Sequence, residues 1–99
     1  MTPVRFQANA IQEMLEARDW YESHVAGLGS AFVLAVNAAV ERVRRAPTMF
    51  PKVDDSFRQA LLRRFPYSLV FHASRAEIVV VSCFHHRRRS GRWRVQDGD

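Results

Sequence analysis

The chain has little cysteine, glycine or proline: one, four and four residues respectively in 99, and no lysine follows Lys52. A lone thiol, Cys83, cannot close an internal disulfide, and inside an apolar run it reads as a small buried hydrophobe. No stretch reaches the roughly 18 apolar residues needed for a membrane-crossing helix. The N-terminus shows no basic segment leading into an apolar signal core, so a cytoplasmic protein without membrane association is expected. There is no Gly-rich phosphate loop, no His/Cys spacing suited to zinc, and no serine elbow of a hydrolase. Neither a metal nor a cofactor is therefore expected. No internal repeat or low-complexity segment interrupts the chain.

Apolar residues make up 47% of the sequence, enough for one core and too few for two, which implies a single domain over residues 1–99. Charge is unevenly placed. Up to Ser56 there are six Lys/Arg and seven Asp/Glu; from Phe57 onward there are nine arginines and three acids. The second half therefore carries +6 of a net +5, and its cations are all arginine. Guanidinium forks match carboxylate and phosphate, so the expected partner is acidic protein or nucleic acid, with a merely solubilising surface as the plain alternative.

The chain is organised around residues 65–72, a polar break at 73–76, and residues 77–84 running into His85-His86-Arg87-Arg88-Arg89. Two apolar runs of strand length, rich in β-branched and aromatic residues, predict a β-hairpin. The second run is apolar on both faces, which predicts a central strand covered on both sides. Before it, Val4, Phe6 and Ala8 alternate with polar residues and predict a strand over residues 3–7. Asn9 with Gln12 resembles a capping box opening a first helix, whose face is Ala10, Met14, Ala17, Tyr21 and Val25. The pattern fades near His24; Gly27 and Gly29 bracket a turn, with Ser30 as the next N-cap. Phe32, Val36, Ala39, Val40 and Val43 predict a second helix, closed by Arg42, Arg44 and Arg45 in its last turn and by Pro47.

Residues 47–56 read as an irregular connection with Met49 and Phe50 tucked onto the core. Residues 57–64 predict a strand of imperfect alternation, and Pro66 marks the break before the next. The order β-α-α-β-β-β implies an α+β fold, an antiparallel sheet, mixed at strand one, packed against a helical hairpin.

The strands flanking residues 65–72 run in one direction, which brings Arg63 and Arg64 to the same sheet edge as His85 to Arg89. Such an edge could bind phosphates, or could support RNA cleavage if an acid and a base were placed there; charge alone leaves both open. Neighbouring His85 and His86 point to opposite faces and do not form a joint metal site. Trp20 is read either as a partial core residue or as an exposed partner contact.

The element order, Pro47 closing the second helix, Phe65-Pro66-Tyr67 opening a strand, and the apolar strand ending in His85-His86-Arg87-Arg88 together resemble the RelE/ParE superfamily of type II toxin-antitoxin toxins. The resemblance spans about Val4 to Trp93 and implies a bacterial or archaeal toxin neutralised by a cognate antitoxin. Its RelE-like branch cleaves messenger RNA on the ribosome; its ParE-like branch poisons DNA gyrase. Here no tyrosine follows Tyr67, no lysine follows Lys52, and Phe84 and His86 flank His85, so the ribonuclease set is incomplete and the ParE-like branch is favoured. Whether the protein is an enzyme stays open: the ribonuclease alternative would use Arg64, His85 and Arg87. Contacts to target or antitoxin are assigned to Arg58, Arg63, Arg64, His85, Arg87, Arg88, Arg89 and Trp20. A third alternative is a non-toxic basic binding domain.

Overall fold

The computed structural model describes residues 2–87. Its elements are β1 (Val4–Phe6), α1 (Ala8–His24), α2 (Leu28–Arg45), a 3-10 turn (Pro47–Met49), β2 (Arg58–Leu61), β3 (Tyr67–Ala73) and β4 (Ile78–His85). The sheet order is β1-β4-β3-β2, with β1 parallel to β4 and the other pairs antiparallel. This is the expected α+β arrangement, mixed at strand one.

β4 is a central strand, flanked by β1 and β3, and residues 78–84 are all buried, in keeping with a run apolar on both sides. On one face Leu69, Phe71, Ile78, Val80 and Cys83 pack against Phe32, Val36 and Ala39 of α2 and Ala10 and Ala17 of α1. The other face carries a smaller cluster of Val70, Val79, Val81 and Phe84, over which Val53 and Phe57 of the connection fold. Phe32, Phe71, Leu69 and Ile78 are almost wholly enclosed, and burying each such side chain contributes about 1.5–3 kcal/mol.

Several boundaries differ from the sequence expectation. α1 starts at Ala8 with Gln7 as N-cap and no side-chain cap. Asn9 is not the capping residue; its Nδ2 donates to the Val81 carbonyl at 2.7 Å and ties the helix start to β4. Ser30 is not the cap of α2, which begins at Leu28 after Gly27 in a left-handed conformation (φ 90°). Instead Glu22 of α1 accepts hydrogen bonds from the Gly27 and Gly29 amides at 2.9 and 2.8 Å, so one helix caps the next. Gly29 lies inside α2, where a Cβ would stand 2.8 Å from the Arg18 carbonyl oxygen and leave the helices no room to meet. Phe50 does pack edge-on against Phe71, but Met49 points into solvent, 80% exposed.

The strand expected over residues 57–64 is only Arg58–Leu61. Its end is set by a turn in which the Leu62 amide bonds the Tyr67 carbonyl at 2.9 Å and Arg64 takes a left-handed φ of 73°. Pro66 stands directly before β3, as its missing amide donor requires.

Candidate functional site: a groove between the first helix and the end of the central strand

On α1, positions 13, 16, 17, 20 and 21 fall on one face because they recur at three- and four-residue spacing. That face looks across to Pro66 and Tyr67 at the start of β3 and to His85 and Arg87 at the end of β4. Between them lies an open groove of about 600 Å³. Register places Tyr67 opposite His85, and their rings meet edge to face at 5.1 Å. Tyr21 stacks on Phe32 and meets Phe65 edge-on at 4.9 Å, so the groove floor continues into the aromatic core. Burial pushes the Tyr21 hydroxyl pKa above its ordinary value.

Trp20 stands at the rim, 56% exposed, lying over His24 at 4.0 Å and edge-on to Tyr21 at 5.1 Å. The structure thus places Trp20 at the surface and not in the core. The Arg87 amide donates to His85 Nδ1 at 3.0 Å, which orders the end of β4 and leaves the ring proton of neutral His85 on Nε2. The walls carry charge of both signs: Glu16 on the helix, and Arg87 just past the end of β4.

Glu13 is the residue that sequence reading passed over. It is buried, and its Oε1 accepts from Ser82 Oγ at 3.1 Å and from the Cys83 amide at 2.8 Å. These bonds occur where β4 shifts register against β3 between Val70 and Phe71. Burial, then the neighbouring Glu13 charge, push the Cys83 thiol up to about 12, so it is an unreactive core group, as its place in an apolar strand predicts. A signal for Glu13 was available: it shares the i, i+3, i+7 stripe with buried Ala10 and Ala17.

The structure gathers some of the sequence-predicted residues and separates others. Trp20, His85 and Arg87 share the groove. Arg63 and Arg64 lie in the β2–β3 turn, at the same end of the sheet but not among the groove walls, so Arg64 does not join His85 and Arg87 in one pocket. Arg58 begins β2 at the far end of that strand, and its Nη1 donates to the Phe50 and Thr48 carbonyls at 2.7 and 3.3 Å. It is a latch on the connecting segment. Arg88 and Arg89, with Trp93, lie outside the described residues. His86 faces away from His85, as expected of strand neighbours, and reaches Ser68 Oγ at 2.8 Å; Gln59 Nε2 also donates to that hydroxyl, at 2.9 Å.

No protein-family model and no curated protein matches the chain. Among solved structures, it is similar to a chain of "Chromosomal ParDE TA system from P. aeruginosa", with a TM-score of 0.74 and 17% identity, covering 86% of this chain and 96% of that one. The fold is thus shared with that chain. Among the described residues no helix is long and apolar enough to cross a membrane.

Proposed function

We propose that this chain, residues 1–99 read as one domain, is the toxin of a type II toxin-antitoxin system of the ParE-like kind, acting in the bacterial cytoplasm. A cognate antitoxin neutralises it by laying an amphipathic segment into the α1–β4 groove, and its target is DNA gyrase. The carrying observation is the likeness in fold to a chain of a ParDE TA system over 86% of the sequence. The groove adds physical support: an aromatic floor with an exposed tryptophan at the rim and charged walls of both signs suits a peptide segment with apolar anchors. Arg64 is not among the residues that line the groove with His85 and Arg87, so the groove lends no support to a ribonuclease built on those three.

Induced expression should arrest growth, and co-expression of the neighbouring small open reading frame should restore it. Purified protein should inhibit gyrase supercoiling and accumulate cleaved DNA. Unaffected growth would leave the non-toxic binding domain. The ribonuclease reading keeps one observation in its favour, the shared position of His85 and Arg87. It requires new message ends in primer extension that disappear with His85→Ala.

A further inference from the structure

Arg42 is fixed at the end of β2, where its Nη2 donates to the Leu61 carbonyl at 3.0 Å. The next residues of the chain are Leu62, Arg63 and Arg64, so the Arg42 guanidinium from α2 is held beside the β2–β3 turn that carries two further exposed arginines. Burial, and after it the charge of Arg63, push the Arg42 pKa below its ordinary value, which reports that the two cations feel each other. By contrast Arg5, Arg18 and Arg44 each sit on a carboxylate. Among the described residues no carboxylate pairs with Arg42, Arg63 or Arg64, and the enclosed Nε of Arg42 has no hydrogen-bond partner.

The helix dipole accounts for Arg42 in the last turn of α2, but not for Arg63 and Arg64, which are on no helix. Nor does solubility explain the backbone. Arg64 is the one non-glycine residue with positive φ among those described, a conformation that glycine or asparagine adopts more cheaply. Like charges are thus held together, on a strained turn, without a counter-charge from the chain.

From this juxtaposition we propose that the Arg42, Arg63 and Arg64 corner is a binding site for the phosphodiester backbone of a nucleic acid, separate from the groove. An acidic protein segment fits it less well. Protein partners gain most of their affinity from apolar anchors set in pockets, and the apolar residues of the turn, Leu62 and Phe65, are turned into the core. Leu61 is half exposed, and Pro66, also exposed, lines the groove instead. Planar forks on a projecting turn, by contrast, suit contact with successive phosphates without reading sequence. The site does not rest on the antitoxin reading of the groove.

Fluorescence anisotropy of the full chain with a labelled DNA duplex and with a single-stranded RNA, each about 20 nucleotides long, tests this between about 50 and 200 mM salt. The parent chain should bind at least one of them; which one identifies the source of the phosphates. The double variant Arg63→Gln/Arg64→Gln should bind at least tenfold more weakly, and its log–log salt slope on duplex DNA should shrink by about 1.8, or 0.9 per lost phosphate contact. Arg64→Gly separates binding from folding, because glycine relieves the left-handed backbone: the melting temperature should rise while affinity falls. The site is overturned if neither nucleic acid binds, if the double variant binds like the parent, or if polyglutamate displaces the duplex at equal charge concentration, which would point to an acidic protein.

Discussion

A single carboxylate fastens the first helix to the central strand. Glu13 satisfies Ser82 Oγ and the Cys83 amide inside the core, and removing it leaves both donors buried and unmade. Glu13→Ala should therefore cost about 2–4 kcal/mol in urea unfolding, with Glu13→Gln recovering part of the loss by keeping an acceptor oxygen. Its neighbour supplies a pH prediction. The Cys83 thiol is raised from 9.0 to about 12 by burial and then by Glu13. Below pH 9 both folded and unfolded chains keep that proton and stability is unaffected. Above it the unfolded chain ionises first, so stability should decline as pH climbs from 9 towards 12, and Cys83→Ala should flatten the decline. At pH 8 the native thiol should resist a disulfide reagent that labels it in urea. The sequence disclosed the thiol's burial because its strand is uniformly apolar. It hid Glu13 because a charged residue on an apolar helical stripe reads as solvated until its partner strand is known. Arg58 misled for the mirror-image reason, since its bonds go to backbone carbonyls that leave no trace in residue identity.

At the level of elements, the turn between the helices is the least forgiving place. Gly29 meets the Arg18 carbonyl and Glu22 so closely that Gly29→Ala must push α1 and α2 apart, at about 1–3 kcal/mol. Gly27→Ala faces open space, so its cost is the left-handed backbone alone, about 1 kcal/mol. Thermal unfolding of the two variants should rank them in that order. Hydrogen bonds from the Gly27 amide, then from Gly29, hold the Glu22 carboxyl below its ordinary 4.5. That contribution is present above about pH 4.5 and fades as pH falls below it, an effect that Glu22→Gln should remove from the acid limb of a pH-stability curve. Periodicity located both helices, but their ends depended on tertiary contacts. Asn9 and Ser30 have the chemistry of caps, and the chain instead spends Asn9 on Val81 and lets Glu22 serve α2. β2 ended early for a local reason, the left-handed Arg64, which a non-glycine sequence does not advertise.

Across the whole molecule, the pairing and direction of the last three strands were legible because hairpin connections leave few alternatives, and they placed the basic turn and the end of β4 at one end of the sheet; the place of β1 beside β4 was not read. The groove was not legible, since Trp20 and Arg87 are far apart in sequence and meet only because α1 packs across β4. On the proposed reading that packing creates two separable surfaces, and variants tested against the proposed antitoxin should tell them apart. Trp20 is half exposed, so Trp20→Ala should leave the melting temperature nearly unchanged. It should weaken antitoxin binding by about 2 kcal/mol or more, mostly through faster dissociation, as expected of an aromatic anchor. Arg87→Glu turns one basic wall acidic, beside Glu13 and Glu16 across the groove, and should slow association and reduce its dependence on salt. The Arg63→Gln/Arg64→Gln variant should bind antitoxin as the parent does, because neither residue lines the groove. Surface plasmon resonance on the three variants checks the binding outcomes, and thermal unfolding of Trp20→Ala checks the stability one. Equal loss of antitoxin affinity from the turn and from the groove would mean that the antitoxin wraps both surfaces, and would end the division of the sheet end into two sites.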